Sequence, residues 1–223
     1  MSDLPFTGER VVPGKMHNFI PTLVEHLERY TFAISLLSGT ETVVDAACGT
    51  GYGTFLLAMA SEHAIGLDVS AEAVDFARTR FSWPGLEYAT ADLDACELPA
   101  DVSMIVSFET IEHLRDPDAF LRKTEASLLP GGVFVGSVPR EAPSEWHRHV
   151  FDWPSARRLV ESYFGETTWY GQRVVPATTP PPGLTISRER VEDADFYIAV
   201  CRKKEDPDQD RTGELPRGDV DVS

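Results

Sequence analysis

The stretch that decides the fold is Val43-Val44-Asp45-Ala46-Ala47-Cys48-Gly49-Thr50-Gly51-Tyr52-Gly53. It begins as an apolar run typical of a buried strand and continues into a turn rich in glycine. Glycine permits positive φ angles and lets a ligand approach backbone N–H groups, above all where a helix follows the turn. The stretch therefore predicts a strand, a ligand-binding turn and a helix. A turn that needs small residues only for packing is the alternative.

The same alternation of strand and helix continues along the chain. Apolar runs rich in Val, Ile, Phe and Tyr predict seven strands, at 42–46, 64–68, 86–90, 102–108, 133–138, 167–175 and 196–201. Helical spacing of apolar residues predicts helices at 21–37, at 71–81, from Asp116-Pro117 onward and at 154–164. Strands that alternate with helices form parallel crossovers, so we expect one doubly wound α/β domain.

The last two predicted strands have no helix between them, only a proline-rich loop. They are expected to pair as an antiparallel edge on an otherwise parallel sheet. The predicted architecture is thus a Rossmann-like α/β fold whose seven-stranded, mostly parallel sheet has an antiparallel last strand. Its ligand crevice is expected at the carboxyl ends of the strands.

The two ends of the chain differ in composition from the middle. Residues 1–20 form a leader that we expect to cover the active site as a lid, with a surface arm or dimer contact as the alternative. Residues 204–223 are acidic and almost without apolar side chains, which predicts a disordered tail. The domain itself is expected at 21–203.

Charge and cysteine content narrow the classes of partner. The chain has 20 Lys and Arg against 36 Asp and Glu, a formal net charge of −16, which disfavours nucleic acid and anionic membrane as partners. Neither a secretory signal nor a membrane-spanning apolar run is found. Three widely spaced cysteines disfavour a disulfide framework. We expect a cytoplasmic protein, monomer or homodimer, that acts on a small molecule.

Acidic residues follow the next two strands. Asp68 ends the second strand, where a carboxylate can accept two hydroxyl hydrogen bonds from a ribose, although a capping or surface role is the alternative. Asp92 follows the third strand and can accept a bond from an adenine amino group, unless it is a solvated loop carboxylate. A nicotinamide dinucleotide fits less well, because Thr54 stands where that fingerprint needs its third glycine.

With these motifs in this order, the sequence resembles the class I S-adenosylmethionine-dependent methyltransferases over about residues 20–202. Further matches are Phe108-Glu109-Thr110-Ile111-Glu112-His113 after the fourth strand and Pro130-Gly131-Gly132 before the fifth. The resemblance implies S-adenosylmethionine as cofactor, with S-adenosylhomocysteine as product. The cofactor-binding residues that it implies are Asp45, Ala47, Gly49, Gly51, Asp68, Val69, Asp92, Leu93 and Phe108, with Arg29 and Tyr30 facing the cofactor carboxylate.

One residue departs from the family pattern. Ala47 stands where the family usually has the first glycine of the loop. Alanine adds only a methyl group, so we expect cofactor binding to survive. That turn is then expected to avoid a strongly positive φ at residue 47.

The branch of the family that the sequence resembles acts on natural products, quinones or sugars. The Asn/Asp-Pro-Pro-aromatic motif of base methylators is missing after the fourth strand. We expect methyl transfer to a hydroxyl of a small-molecule acceptor in the biosynthesis of a secondary metabolite or sugar. N- or C-methylation stays open, as do a nicotinamide-dependent oxidoreductase and a non-catalytic cofactor-binding partner protein.

Histidines are the natural candidates for a general base near neutral pH. His113 follows Glu112 after the fourth strand, although a structural role is as strong an alternative. His147 and His149 lie in the connection after the fifth strand, and in an extended segment they point apart, so at most one reaches the acceptor. The family resemblance favours His149 slightly. We expect no metal, because the sequence offers no acidic cluster at ligand spacing to complete these histidines.

Overall fold

The computed structural model describes residues 20–174 and 185–204. The helices are α1 (Ile20–Ile34), α2 (Tyr52–Ala58), α3 (Ala71–Arg80), α4 (Pro117–Ser127) and α5 (Trp153–Glu161). The strands are β1 (Thr42–Ala46), β2 (His63–Asp68), β3 (Leu86–Thr90), β4 (Val102–Phe108), β5 (Leu128–Pro139), β6 (Glu166–Gln172), β7 (Ile186–Ser187) and β8 (Phe196–Arg202). Single 3₁₀ turns occupy Ile111–His113 and Val191–Asp193.

One sheet contains all of these strands, in the order β3-β2-β1-β4-β5-β8-β6-β7. Strands β1 to β5 are parallel to one another, and β8 runs antiparallel between β5 and β6. The predicted α/β Rossmann-like fold with an antiparallel last strand is confirmed. The predicted number of strands was one too few, because β7 consists of two residues that pair with the end of β6 and is too short to form a sequence pattern.

Some predicted boundaries shift. Strand β5 begins at Leu128, not at residue 133, because Leu128 pairs with Val102 ahead of the glycine turn. The pairing then shifts by several residues to Met104 with Val133, so residues 129–132 bulge from the ladder. Strand β6 ends at Gln172, and the predicted end at residue 175 lies outside the described residues. So do residues 1–19 and 205–223, and the lid and the tail stay predictions.

Helices cover both faces of the sheet, which explains why its central strands are apolar throughout. Met104 and Ile105 are neighbours on β4 that are both fully buried but belong to apolar clusters on opposite faces. Phe134 and Val135 alternate in the same way on β5. None of the helices in the described ranges has the length and apolarity that crossing a bilayer would require.

A glycine allows α1 to lie directly against α2. The ring of Tyr30 on α1 covers Gly53 so closely that a Cβ atom at residue 53 would lie 1.9 Å from a ring carbon. The same ring meets Phe108 edge-on, with centroids 5.1 Å apart. Its hydroxyl donates to the carboxylate of Asp45 at 3.2 Å. This contact joins α1 to the carboxyl ends of β1 and β4.

We predict that Gly53→Ala destabilises the protein although alanine is the better helix former. The methyl group has no room beside the Tyr30 ring, and overpacking of this kind costs about 1–3 kcal/mol. Urea unfolding of the variant and the natural protein gives the difference in the free energy of unfolding.

Gly165→Ala is the matched control, because its methyl group would meet only the flexible end of Lys204. Equal destabilisation by the two substitutions, or none by Gly53→Ala, would contradict the close packing of Tyr30.

Candidate functional site

A cavity of about 920 Å³ opens at the carboxyl ends of the parallel strands. This is the place where doubly wound sheets bind ligands. Its wall includes most of the residues to which the sequence assigns a cofactor role: Tyr30, Ala47, Gly49, Asp68, Val69, Asp92, Leu93 and Phe108. A volume of this size suits an organic ligand of several hundred daltons.

The turn after β1 takes left-handed backbone conformations at residue 47 and at two glycines. Ala47 has a φ of 70°, Gly49 of 56° and Gly51 of 83°. The expectation that Ala47 avoids a strongly positive φ is therefore wrong. Backbone hydrogen bonds hold the turn, because Cys48 N–H donates to Leu67 O at 2.8 Å. They offset the roughly 1–2 kcal/mol that a left-handed conformation costs a residue with a Cβ atom.

Asp68 is the anchor of this end of the cavity. Its Oδ2 accepts a hydrogen bond from Gly49 N–H at 2.8 Å, and its Oδ1 accepts one from Ser70 N–H at 2.9 Å. The side chain is buried but lines the cavity. Each carboxylate oxygen can accept more than one bond, so a fixed acceptor faces the ligand space. Val69, next to it, exposes 67% of its surface.

Asp45 is buried behind the cavity wall rather than in it, and its assignment as a cofactor contact stays a prediction. Its carboxylate accepts bonds from Thr54 Oγ1 at 2.7 Å and from Tyr30. Burial raises the pKa of Asp45 to about 7, although both hydrogen bonds act in the opposite direction. Asp45 therefore supports the turn from below.

Gly51 and Arg29 are also placed away from the wall. A Cβ atom on Gly51 would lie 2.4 Å from Ala77 Cβ, so this glycine serves the packing of α2 on α3. Arg29 is fully buried, donates through Nη1 to Gln172 Oε1 at 2.7 Å and lies over the Phe196 ring at 4.7 Å. Neither residue lines the cavity, and their assignment as cofactor-binding residues stays a prediction.

Asp92 follows β3, where the sequence predicts the contact with the adenine amino group. Its Oδ2 accepts from Arg115 Nη2 at 3.1 Å, and its Oδ1 accepts from Asp94 N–H at 3.0 Å. Arg115 also binds Asp94 through Nε at 3.2 Å. The carboxylate of Asp92 is thus oriented at the cavity wall, with the buried Leu93 beside it.

The structure brings together two of the three candidate histidines. His113 and His147 line the cavity, with ring centroids 4.9 Å apart in an edge-on arrangement. His149 does not line it, because its Nε2 bonds Leu114 O at 3.0 Å and its ring stacks on Phe151. Of the pair, His147 and not His149 thus lies at the cavity, and the identity of the base stays a prediction.

Glu112, which precedes His113 in the chain, completes this cluster, although the sequence offers no acidic cluster at ligand spacing. Glu112, His113 and His147 present ligand atoms that all lie within 4.8 Å of one another. Burial, with a smaller contribution from Glu109, raises the pKa of Glu112 well above its ordinary value. Sequence spacing missed this set because His147 joins it from a different loop.

Sequence reasoning also missed one face of α1. Thr22, Glu25 and His26 line the cavity together with Tyr30. Their spacing of three, four and eight residues marks one side of a helix, a signal that was present in the sequence. His26 Nδ1 shares a hydrogen bond with the Tyr52 hydroxyl at 3.0 Å. Burial, aided by the charge of Arg29, lowers the pKa of His26 to about 3, so this imidazole is neutral.

The sequence is similar to a known protein family and to several methyltransferases. Residues 43–132 match the family described as "Methyltransferase domain". A probable S-adenosylmethionine-dependent methyltransferase of Mycolicibacterium smegmatis is 36% identical over 139 residues, which cover 62% of this chain and 52% of that protein. A ubiquinone biosynthesis O-methyltransferase of Aeromonas salmonicida is 29% identical over 103 residues, 44% of this chain and 43% of that one.

The fold is also found among solved structures. N-methyltransferase NodS from Bradyrhizobium japonicum WM9, solved with S-adenosyl-l-homocysteine, superposes with a TM-score of 0.64 at 18% identity, over 86% of this chain and 92% of that one. At this identity the likeness concerns the fold alone. This chain spans about half the length of the curated relatives that it matches.

The pKa of Asp45 predicts a pH dependence of stability. The folded protein keeps a proton on Asp45 up to about pH 7, whereas the unfolded chain loses it near the ordinary value of 3.8. The contribution of this group is therefore complete below about pH 4 and is lost as the pH rises to about 7. The free energy of unfolding should therefore decline between about pH 4 and pH 7. We predict that this decline is about 2–4 kcal/mol smaller in Asp45→Asn than in the natural protein.

Urea titrations at several pH values between 4 and 7.5 measure this difference. Asp75→Asn serves as control because Asp75 is an exposed residue of α3 that pairs with Arg78. An Asp45→Asn profile parallel to that of the natural protein would contradict the assigned proton.

Proposed function

The chain contains a class I S-adenosylmethionine-dependent methyltransferase domain, and on that premise we propose that it methylates a hydroxyl group of a small molecule. The observation that carries the proposal is one cavity lined both by Asp68 and Asp92 and by His113 and His147. The cavity thus combines carboxylates that can accept hydrogen bonds from a nucleoside with imidazoles that can take a proton. The net charge of −16 favours a small-molecule acceptor over a nucleic acid.

The residues present fit the cofactor. Asp68 accepts hydrogen bonds from two backbone amides and lines the cavity, where a carboxylate can accept bonds from ribose hydroxyls. Val69 offers an exposed apolar surface for a planar base, and Asp92 offers an acceptor for an amino group. When bound, the cofactor supplies an electrophilic sulfonium methyl group. The domain aligns the acceptor with that group and excludes water.

The imidazoles of His113 and His147 supply the base in this proposal. Nδ1 of His113 bonds Trp146 O at 3.0 Å, and Nδ1 of His147 bonds Ala142 O. A carbonyl oxygen only accepts, so each Nδ1 carries a proton, and in the neutral ring each Nε2 carries the lone pair. A lone pair on the cavity wall can take the proton of a hydroxyl as the new bond forms.

A second candidate, transfer to an amine, is favoured by one observation. Glu25, Glu109 and Glu112 line the same cavity, and carboxylates bind ammonium groups. Glu109 is partly occupied, since its Oε1 accepts from Ser137 Oγ at 2.7 Å. The hydroxyl proposal is preferred because two imidazoles that can take the proton of a hydroxyl line the same cavity.

We predict that the chain binds S-adenosylhomocysteine and that Asp68→Asn weakens binding by about 1–3 kcal/mol, roughly 5- to 150-fold. The substitution removes the charge that strengthens the hydrogen bonds to ribose but keeps the shape and one acceptor oxygen. Isothermal titration of the full chain measures both affinities.

Asp75→Asn, on the exposed face of α3, is the matched control, and a thermal melt of each variant without ligand verifies folding. Unchanged affinity in Asp68→Asn would remove the ribose from this position. Failure of the natural protein to bind at about 1 mM would overturn the proposed function, since this is far weaker than typical cofactor affinities.

We further predict that the methyl group is transferred to oxygen. Incubation with radiolabelled S-adenosylmethionine and acceptor pairs that differ only in carrying a hydroxyl or an amine should label the hydroxyl member. His147→Ala should lower the rate by about 10²-fold or more, as expected for loss of a general base. His63→Ala, at an exposed histidine that begins β2, should not change it.

Labelling of the amine member alone would favour the second candidate. A rate that falls in His149→Ala but not in His147→Ala would restore the assignment that the sequence favoured.

A further inference from the structure

Glu112 is the feature of the cavity wall that methyl transfer leaves unexplained. The residue is only 1% exposed, yet neither carboxylate oxygen has a hydrogen-bond partner among the described residues. Burial of an uncompensated carboxylate is costly, so such groups are as a rule paired or bound to a metal. Because Glu112 lines the cavity, a ligand can reach these oxygens.

Two imidazoles stand beside this carboxylate. Nε2 of His113 lies 3.9 Å from Oε1 of Glu112. His147 reaches the same place from the connection after β5, so that one ligand atom from each of the three residues lies within 4.8 Å of the others. The three donors therefore converge on one point, although they come from two separate segments.

The two segments are bound to each other, which makes the cluster a built site. The N–H groups of Arg148 and His149 both donate to the carbonyl oxygen of Glu112, at 2.8 and 3.0 Å. The bonds from Nδ1 of His113 and His147 to main-chain carbonyls fix both rings. Metal-binding histidines almost always donate their second ring N–H in this way, since the bond fixes the tautomer and the orientation of the ring.

We propose that Glu112, His113 and His147 bind one divalent transition-metal ion, zinc being the ion that this ligand set suits best. Two imidazoles and one carboxylate with an open fourth position are the arrangement of catalytic zinc sites. The nitrogen ligands disfavour Mg²⁺ and Ca²⁺, which prefer oxygen. With bonds of about 2.0–2.2 Å, tetrahedral ligand atoms lie roughly 3.4 Å apart, a separation that the Nε2 atom of His113 and Oε1 of Glu112, at 3.9 Å, nearly have already.

The surrounding charges agree with a cation at this point. Glu109 and Arg29 are the charged groups that act on Glu112. Two carboxylates therefore face one guanidinium group, and Arg29 already donates to Gln172. A divalent ion supplies the positive charge that the carboxylates lack.

The role of the ion rests on the proposed function. A hydroxyl bound at the open position of the ion has a lowered pKa, so its proton passes to water near neutral pH. The acceptor oxygen then forms its bond to the methyl carbon, the C–S bond breaks, and sulfur keeps the electron pair. The ion changes neither charge nor oxidation state. When the ion is bound, it activates the acceptor hydroxyl. Without the ion, this role falls to the imidazoles of His113 and His147.

The test measures zinc binding to the tag-free full chain, stripped with a chelator and titrated with ZnCl₂ without cofactor or acceptor. We expect one zinc ion per chain and a rise in melting temperature on binding. Glu112→Gln and His147→Gln should each weaken binding at least tenfold. Glu72→Gln and His63→Gln, at exposed residues outside the cavity, should leave it unchanged. Cobalt(II) in place of zinc should show the visible absorption of a tetrahedral site.

Absence of saturable zinc binding would overturn the site, and so would binding that neither substitution weakens in variants with a normal melt. His147→Gln keeps the test decisive if Glu112→Gln does not fold, since only part of His147 is buried. Titration of the zinc-free chain with S-adenosylhomocysteine separates the two proposals. Cofactor binding without zinc binding overturns the metal site alone, whereas zinc binding without cofactor binding overturns the proposed function.

Discussion

The hydrogen bond from Gly49 N–H to the carboxylate of Asp68 is the constraint on which the cavity depends. It joins the turn after β1 to the end of β2, beside the bond from Cys48 N–H to Leu67 O. Parallel pairing of β1 with β2 brings these ends level, since Ala46 lies opposite Leu67. A left-handed turn at Ala47 is tolerated because these bonds hold it. The order of the strands thus orients the carboxylate of Asp68 at the cavity.

Two buried carboxylates near the cavity differ in their hydrogen-bond partners. Asp45 receives hydrogen bonds from Thr54 and Tyr30 and lies behind the wall, so its environment is complete without a ligand. Glu112 is just as buried and lines the cavity, but within residues 20–174 and 185–204 neither of its oxygens has a hydrogen-bond partner. This contrast separates a residue that supports the fold from one whose surroundings call for a ligand. The two residues differ in their hydrogen-bond partners and not in burial, since each is 1% exposed.

The positions of Asp68 and Asp92 were predictable because parallel strands bring their carboxyl ends to one edge, so an acid after a strand faces the crevice. The choice between His147 and His149 was not. Alternation along an extended segment predicts that they point apart, but it does not say which one points inward. The bonds of Arg148 and His149 N–H to Glu112 O decide it, and they join residues far apart in the chain.

By itself the sequence determined the order of strands and helices, the glycine turn and the acids that follow β2 and β3, because these depend on local periodicity and on residues adjacent in the chain. Only the tertiary structure decided that Asp45, Gly51 and Arg29 stand behind the wall, that β7 adds an eighth strand, and that Glu112 meets two imidazoles. The physical reason is that burial and hydrogen-bond partners are set by the packing of distant segments, which no local pattern records.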